Sequence, residues 1–363
     1  MRVEEVERCP ANVGHFYFYL FTKYLHFVSI YQNNVYLCFM VTFSGFDGMS
    51  CGRLALDKLR VPVDEYFTSE IDKHAIKFVG AKWPNTKQLG SITEVRGPAL
   101  PAIDLFIGGS PCQGFSYAGK GLNFNDPRSA LFFEYVRVLD ECRQKNPEIE
   151  FMLENVAMKK EHEDIISRIL GVQPININSS LVSAQNRERL YWTNIANIKH
   201  GLFGDNHCTI QPPKDKRLFL KDILQENVPE KYFLSDAAII SMRERKQKNK
   251  ALGKGFGAAI RSENEKSPTI SARYYKDGSD CLIIDSAGRI RRLTPVEVCR
   301  LQTVPDNYFF NIGGGQIVSD TQIYKMCGNG WTVDVIAHIF KHIPTIQALL
   351  RMEKLVRENP ISV

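Results

Sequence analysis

Between Met40 and Ile195 the chain alternates short apolar runs with helical segments, and that alternation narrows the folds open to it more than any other feature. An apolar run through Val41 ends in a turn marked by Gly45, Gly48 and Gly52, and Arg53 to Leu59 then has helical character. "VPVDEYFTSEID" reads as a second strand ending in acidic residues, and "PAIDLFIGG" as a third. "IEFMLENV" reads as a fourth, followed by a polar helix through "KKEHEDIISRIL". "QPININSSLVSAQNRERLYWTNI" carries two more strands. The pattern predicts an α/β fold with a doubly wound, mostly parallel sheet.

From about Leu202 the character changes. "QPPKDKRLFLKDIL", "MRERKQKNKALGKGFGAAI" and "RYYKDGSD" are basic, glycine-containing and weakly periodic. We read 40–196 as the main unit, 197–285 as a smaller inserted region, and 286–363 as a return that completes the main unit. Thr294 before Pro295 reads as a helix cap in that return. Residues 1–39 are aromatic and apolar, but His15, Lys23 and His26 interrupt them, which a membrane span does not tolerate. We treat them as an extension outside the fold.

Composition adds bounds. The chain has 363 residues, 44% hydrophobic and 24% charged, enough for a sizeable core. A formal net charge of +6 permits a polyanionic partner without requiring one. Nine scattered cysteines without a C-x-x-C pair argue against a zinc site or a disulfide framework, and fit reduced thiols in a cytoplasmic setting. His338 and His342 stand four apart on a predicted helix; with no third ligand nearby, packed or solvated histidines are the simpler reading, and no metal is expected.

The strand ends carry the chemistry, because ligands of doubly wound sheets bind outside the carboxyl ends of the strands. The turn "FSGFDGMSCG" lets backbone approach a ligand closely, and Glu70, about 20 residues on, is where a carboxylate accepts ribose hydroxyls. Alone, that turn reads equally well as an ordinary strand-to-helix connection. Cys112 follows Pro111 just after "IDLFIGG", in a polar, glycine-rich stretch where a thiolate nucleophile fits better than a packed thiol. Cys51, Cys142, Cys281, Cys299 and Cys327 read as small buried hydrophobes. Glu154 and Asn155 end the fourth run; they suit either a helix cap or a carboxyl that meets Cys112 over a shared ligand. Gln185, Arg187 and Arg189 alternate, and a period of two places them on one strand face.

The ordered set "FDGMSCG", "SEID", "GGSPCQGFS", "LENV", "QNRERLYW" and "QIYKMCGNGWTV" resembles the cytosine-5 DNA methyltransferases, from Met40 to about His342. The resemblance implies a Rossmann-like, S-adenosylmethionine-dependent methyltransferase acting on double-stranded DNA, with the target cytosine flipped out of the stack. It implies that Cys112 attacks ring carbon 6, that Glu154 hydrogen-bonds ring nitrogen 3 and the exocyclic amine, and that Arg189 holds the 2-oxo oxygen. Carbon 5 then takes the methyl group, and elimination frees Cys112. By the same match Phe46 stacks on the cofactor adenine, Asp47 and Gly48 line its amino-acid end, and Glu70 holds the ribose. Ile71, Ile92 and Leu131 sandwich the adenine beside Ser91 and Pro111, and Asn329, Gly330 and Trp331 close the site. The stretch from Gln113 through Ser116 to Arg128 implies a loop over the DNA, with Arg128 and Arg187 supporting phosphate or catalytic contacts. Residues 197–285 stand where the family reads its target sequence, with Arg273 near the groove.

Two positions depart from the family pattern: Ser91, where aspartate is common, and Gly330, where serine is. Methylation of RNA is the neighbouring alternative, and a catalytically silent DNA-binding regulator on the same fold is another. A cysteine hydrolase lacks a histidine in the strand-end motifs. Neither the recognition sequence nor a cognate restriction enzyme is inferable from these residues.

Overall fold

The computed structural model describes residues 28–31, 34–37, 40–111, 127–199, 206–253, 258–285, 287–311 and 314–358. Its centre is a seven-stranded sheet of β1 (Met40–Gly45), β2 (Val63–Ser69), β3 (Thr86–Gln88), β4 (Leu105–Gly108), β5 (Glu150–Val156), β6 (Pro174–Asn178) and β7 (Glu188–Thr193), ordered β3-β2-β1-β4-β5-β7-β6. β7 runs antiparallel to both β5 and β6; β3-β2-β1-β4-β5 are parallel throughout. β1 and β4 are buried along their whole length, as central parallel strands covered on both faces must be.

Alternation explains the two-sided core. Leu105 and Ile107 of β4 pack into one cluster with Leu54, Leu56 and Ile336, while Phe106 between them joins Phe43, Phe132 and Tyr135 on the other face. The helices α1 (Cys51–Lys58), α2 (Lys73–Lys82), α3 (Pro127–Arg143) and α4 (Lys160–Leu170) connect the first strands. Asp72 caps α2 by accepting from the backbone N–H of His74 at 2.8 Å. The order in which strands are added reverses between β1 and β4, β2 and β3 lying to one side and β4 and β5 to the other, and that switch point is the crevice position for a ligand in such sheets.

The smaller region holds the basic helix α5 (Asp236–Ala251) and a three-stranded sheet of Ile260–Arg261, Leu282–Ile284 and Ile290–Arg292. The last of these strands lies beyond the 285 boundary read from the sequence. It is tied to the return by a buried pair: Arg291 donates through both terminal nitrogens to Glu297, each at 2.8 Å. Glu297 also accepts from the Thr294 N–H while Thr294 caps α6 (Pro295–Leu301), as the capping reading expected. Within the extension set aside above, Val28–Tyr31 pairs with Asn34–Leu37 as an antiparallel hairpin. No helix among the described residues is long and apolar enough to cross a membrane.

Glu150 opens β5 with its Oε2 buried and without a hydrogen-bond partner. Burial, and then the Glu148 charge, push its carboxyl up from 4.5 to about 7. A raised folded value means that stability present below about pH 4.5 is lost as pH rises through 7. Glu150→Gln is therefore expected to raise Tm by a few degrees above pH 7, on the order of 1 kcal/mol, and to match the parent below pH 4.5. Thermal melts across that range check it; an equal gain at both ends contradicts it.

Candidate active site

The first turn is built on unusual backbone. Phe46, Gly48 and Ser50 all have φ of 57°, in the left-handed region that non-glycine residues adopt at a cost of roughly 1 kcal/mol or more. Hydrogen bonds from the neighbouring strand end hold the turn there: Ser69 O accepts from Phe46 N–H at 2.7 Å, and Glu70 Oε2 from Gly48 N–H at 2.8 Å. Glu70 Oε1 accepts from the N–H groups of Ile71 and Asp72, at 2.7 and 2.8 Å. Three backbone donors therefore fix one carboxylate at the end of β2.

Asp47 is buried under this turn, taking hydrogen bonds from the Ser50 and Tyr66 hydroxyls. Burial pushes its carboxyl up to about 6, against the hydrogen bonds that lower it. Phe46, Ile92 and Leu131 share one apolar cluster, while Ile71 stands outside it, 77% exposed at the strand end. Arg137 of α3 donates to Ile92 O at 3.1 Å and fixes that wall, a role its sequence context did not signal. Ser91 is half-buried, with its hydroxyl 2.8 Å from that of Thr93.

The second half lies across β5 and β7. Glu154 stands opposite Tyr191 in the antiparallel ladder, and Arg189 lies two residues before Tyr191 on the same face. Arg189 Nε sits 2.9 Å from Glu154 Oε1, and Trp331 Nε1 donates to Glu154 Oε2 at 3.0 Å. Both partners and the carboxylate are nearly buried. Asn155 donates through Nδ2 to Ser110 O at 3.4 Å, which ties the end of β5 to the segment entering Pro111. Cys112, Gln113 and Ser116 lie outside the described residues, and Arg128 is described only as a backbone position in α3.

Two expectations are corrected by the geometry. β7 begins at Glu188, so Gln185 is not on its face; Gln185 instead forms an isolated bridge with Ser267. Arg187 does not face a phosphate. It is 3% exposed and donates to the carbonyls of Ile270 at 3.3 Å, Gly328 at 3.1 Å and Gly330 at 2.9 Å. Burial, beside the Arg189 charge, lowers its guanidinium to about 10. It is an internal clamp joining β7, the smaller region and the last turn.

That turn ends α7 (Asp320–Asn329) and leads into α8 (Val333–Phe340). Asn329 is exposed and Gly330 half-buried. A Cβ at Gly330 would lie 2.7 Å from Met49 Cε and 3.2 Å from Cys51 Sγ, so the space of the family's usual serine is filled here by Met49 and Cys51. Cys51 is buried as read, with its thiol pushed up to about 12 by burial, but it also bonds: it donates to Trp331 O at 3.5 Å and accepts from Trp331 N at 3.3 Å. A Cβ at Gly328 would meet the backbone of Ser271 and Ala272 at 2.4 Å. That close approach brings the exposed Arg273 near the turn. His338 Nε2 is 2.7 Å from Gln211 O, and burial lowers the ring's affinity for a proton. Among the described residues no group of three or more His, Cys, Asp or Glu could hold a metal ion.

With this geometry in view, comparison with known proteins is informative. A family model described as C-5 cytosine-specific DNA methylase matches residues 39–345. The Type II methyltransferase M1.ScrFI of Lactococcus lactis subsp. cremoris is 36% identical over 306 residues, covering 81% of this chain and 74% of that protein. The Type II methyltransferase M.SsoII of Shigella sonnei is 36% identical over 310 residues, covering 82% and 78%. A crystal structure of a Spodoptera frugiperda DNMT2 mutant shares the fold with a TM-score of 0.62 at 20% identity, covering 84% of this chain and 99% of its own.

Proposed function

This chain belongs to the C-5 cytosine-specific DNA methylase family, and from that premise we propose that Glu154, Arg189 and the segment starting at Ser110 form its pocket for a flipped cytosine, with S-adenosylmethionine at the turn from Gly45 to Ser50. The observation that carries the reading is the Glu154 carboxylate, held between Arg189 and Trp331 at the strand ends beside the entry to Cys112.

The residues at the first turn fit the cofactor. Glu70 Oε1 is filled by its two backbone bonds, while Oε2 keeps one acceptor site beside Gly48, which suits a ribose hydroxyl. Ile71 is apolar yet 77% exposed, a surface that a flat ring would cover, with Phe46, Ile92 and Leu131 on the same end of the sheet. Asp47 lies where the cationic amino-acid end of the ligand would stabilise its ionised form. When bound, S-adenosylmethionine supplies an electrophilic methyl group.

The chain's own groups do the rest. The cytosine leaves the duplex to enter the pocket. The Cys112 thiolate adds to ring carbon 6, forming an S–C bond and pushing electron density to carbon 5. Glu154, once protonated, donates to ring nitrogen 3 and accepts from the exocyclic amine, stabilising the charge that develops in the ring. Arg189 spends Nε on Glu154 and Nη1 on Glu188 O, and its remaining terminal nitrogen carries the contact to the 2-oxo oxygen. After methylation, loss of the carbon 5 proton and cleavage of the S–C bond restore Cys112. Residues 197–285, with the strand Ile290–Arg292 that completes their sheet, are the part we assign to reading bases, and Arg273 lies at their contact with the site. Gln113, Ser116 and Arg128 are assigned to the DNA on the family pattern alone.

The test is transfer of a labelled methyl group from S-adenosylmethionine. Label is expected in double-stranded DNA and not in transfer RNA; the reverse result contradicts the reading. Glu70→Ala is expected to weaken S-adenosylmethionine binding by about 10-fold or more, as a hydroxyl contact and the bond that holds the Gly48 turn are lost together, with DNA affinity within about threefold. Calorimetry with each ligand checks it, and an unchanged cofactor affinity removes the ribose assignment.

A further inference from the structure

We propose that Trp331 is a positioning residue for the Glu154 carboxyl, acting through its indole N–H, beyond any part it plays in walling the cofactor site. The inference rests on the pocket reading above.

Three observations meet at this point. Trp331 Nε1 donates to Glu154 Oε2 at 3.0 Å in a nearly buried setting, where one charge-assisted bond decides which way a carboxylate points. Arg189 holds the other oxygen at 2.9 Å, so the two donors together fix both the position and the plane of the carboxyl. Second, the indole is itself held from behind. Its backbone exchanges two contacts with Cys51 Sγ, and Arg187 binds the carbonyls of Gly328 and Gly330 just before it. Thr332 next to it donates to Gln302 Oε1 at 2.8 Å and accepts from Ser179 at 2.8 Å. A wall that merely excluded water would not need such fixing.

Third, Gly109 leaves room for this one hydrogen bond. A Cβ there would lie 3.0 Å from Trp331 Nε1 and 3.1 Å from Glu154 Oε2, tighter than a side chain ordinarily tolerates from both partners at once. The residue that follows β4, the chain end of α7 and the end of β5 therefore share one small space. Its occupants are an indole N–H and a carboxylate oxygen.

A cofactor-free reaction separates positioning from cofactor binding. When Cys112 adds to carbon 6, carbon 5 can take a proton from water. Loss of the original hydrogen from carbon 5 and cleavage of the S–C bond then regenerate cytosine. DNA carrying tritium at carbon 5 of cytosine releases it to water by this route without S-adenosylmethionine. Trp331→Phe, which removes the N–H and keeps an aromatic ring, is expected to slow tritium release by about 10- to 100-fold, with DNA affinity within about threefold. Trp331→His, which keeps a ring N–H, is expected to recover part of that loss. Gly109→Ala, which leaves Trp331 itself intact, is expected to slow release as well by wedging the pair apart.

Release at the parental rate in Trp331→Phe, with weakened S-adenosylmethionine binding, would make the indole a cofactor wall only and overturn the proposal. Should Trp331→Phe bind DNA poorly through misfolding, Gly109→Ala carries the test, and its unchanged release overturns the proposal equally. Absence of both exchange and methylation in the parent chain would overturn the pocket reading itself, and the proposal with it.

Discussion

Cys112→Ser is expected to abolish methyl transfer, lowering the rate on the order of 10⁴-fold or more, while DNA and S-adenosylmethionine still bind within about threefold. The reason is chemical. A thiolate is accessible near neutral pH and strongly nucleophilic, whereas a serine hydroxyl at the same place remains protonated without a base beside it. No binding contact depends on the sulfur in the proposed scheme, so affinity should survive. Incorporation of labelled methyl at saturating ligands, set beside gel-shift and calorimetric affinities, checks both halves. Turnover retained in the serine variant contradicts the covalent route. Affinity lost along with activity would instead give Cys112 a structural part.

Glu154→Gln is expected to cost about 10²- to 10⁴-fold in the single-turnover rate, the range for a positioned acid–base group. Glutamine is nearly isosteric, but it carries one amide nitrogen. Trp331 donates to one side of the carboxylate and Arg189 to the other, so the glutamine nitrogen must face a donor whichever way it turns. The variant therefore loses the acid–base group and its fixed orientation together. Glu154→Asp keeps the charge but withdraws it by a methylene, and it is expected to fail nearly as badly if position matters as argued. Single-turnover rates at saturating DNA and cofactor decide. A glutamine variant within about fivefold of the parent would remove Glu154 from the chemistry.

The sheet was legible in the sequence because its central strands are buried on both faces and so read as continuous apolar runs; "PAIDLFIGG" and "IEFMLENV" became β4 and β5. The position of Glu70 just past a strand end was legible for a similar reason, since the strand ends where the polar residues begin. The phosphate contact expected of Arg187 failed because a period-two pattern gives a face and not a depth. Its partners are carbonyls from Ile270, Gly328 and Gly330, and only the tertiary fold brings those to β7. Gln185 failed for another reason: the strand starts three residues later, and boundaries depend on pairing partners that a local pattern does not contain. Cys51 and Gly109 carried no local signal of their contacts. Each is small, and each matters through Trp331, far along the chain. Ser50 and Tyr66 around Asp47 belong to the same class, although Ser50 three residues after an aspartate at a helix start is a hint available to a closer reading.

The site combines a strained turn after β1 with a carboxylate pinned between two donors. The turn is stabilised by backbone bonds from the end of β2, so its geometry exists before any ligand arrives. The carboxylate is fixed by residues from β7 and from the turn after α7, so the return at the C-terminal end completes the pocket that the first strands begin. Arg187 couples that return to the smaller region through Ile270, a direct physical link between that region and the end of the sheet that carries Glu154.

The measurement that bears most directly on this account is bisulfite sequencing of plasmid DNA from a methylation-free bacterial host expressing the chain. The account predicts cytosines protected at one short recurring sequence, and protection lost throughout with Cys112→Ser. Plasmid DNA left wholly unprotected by folded protein that binds S-adenosylmethionine would contradict it.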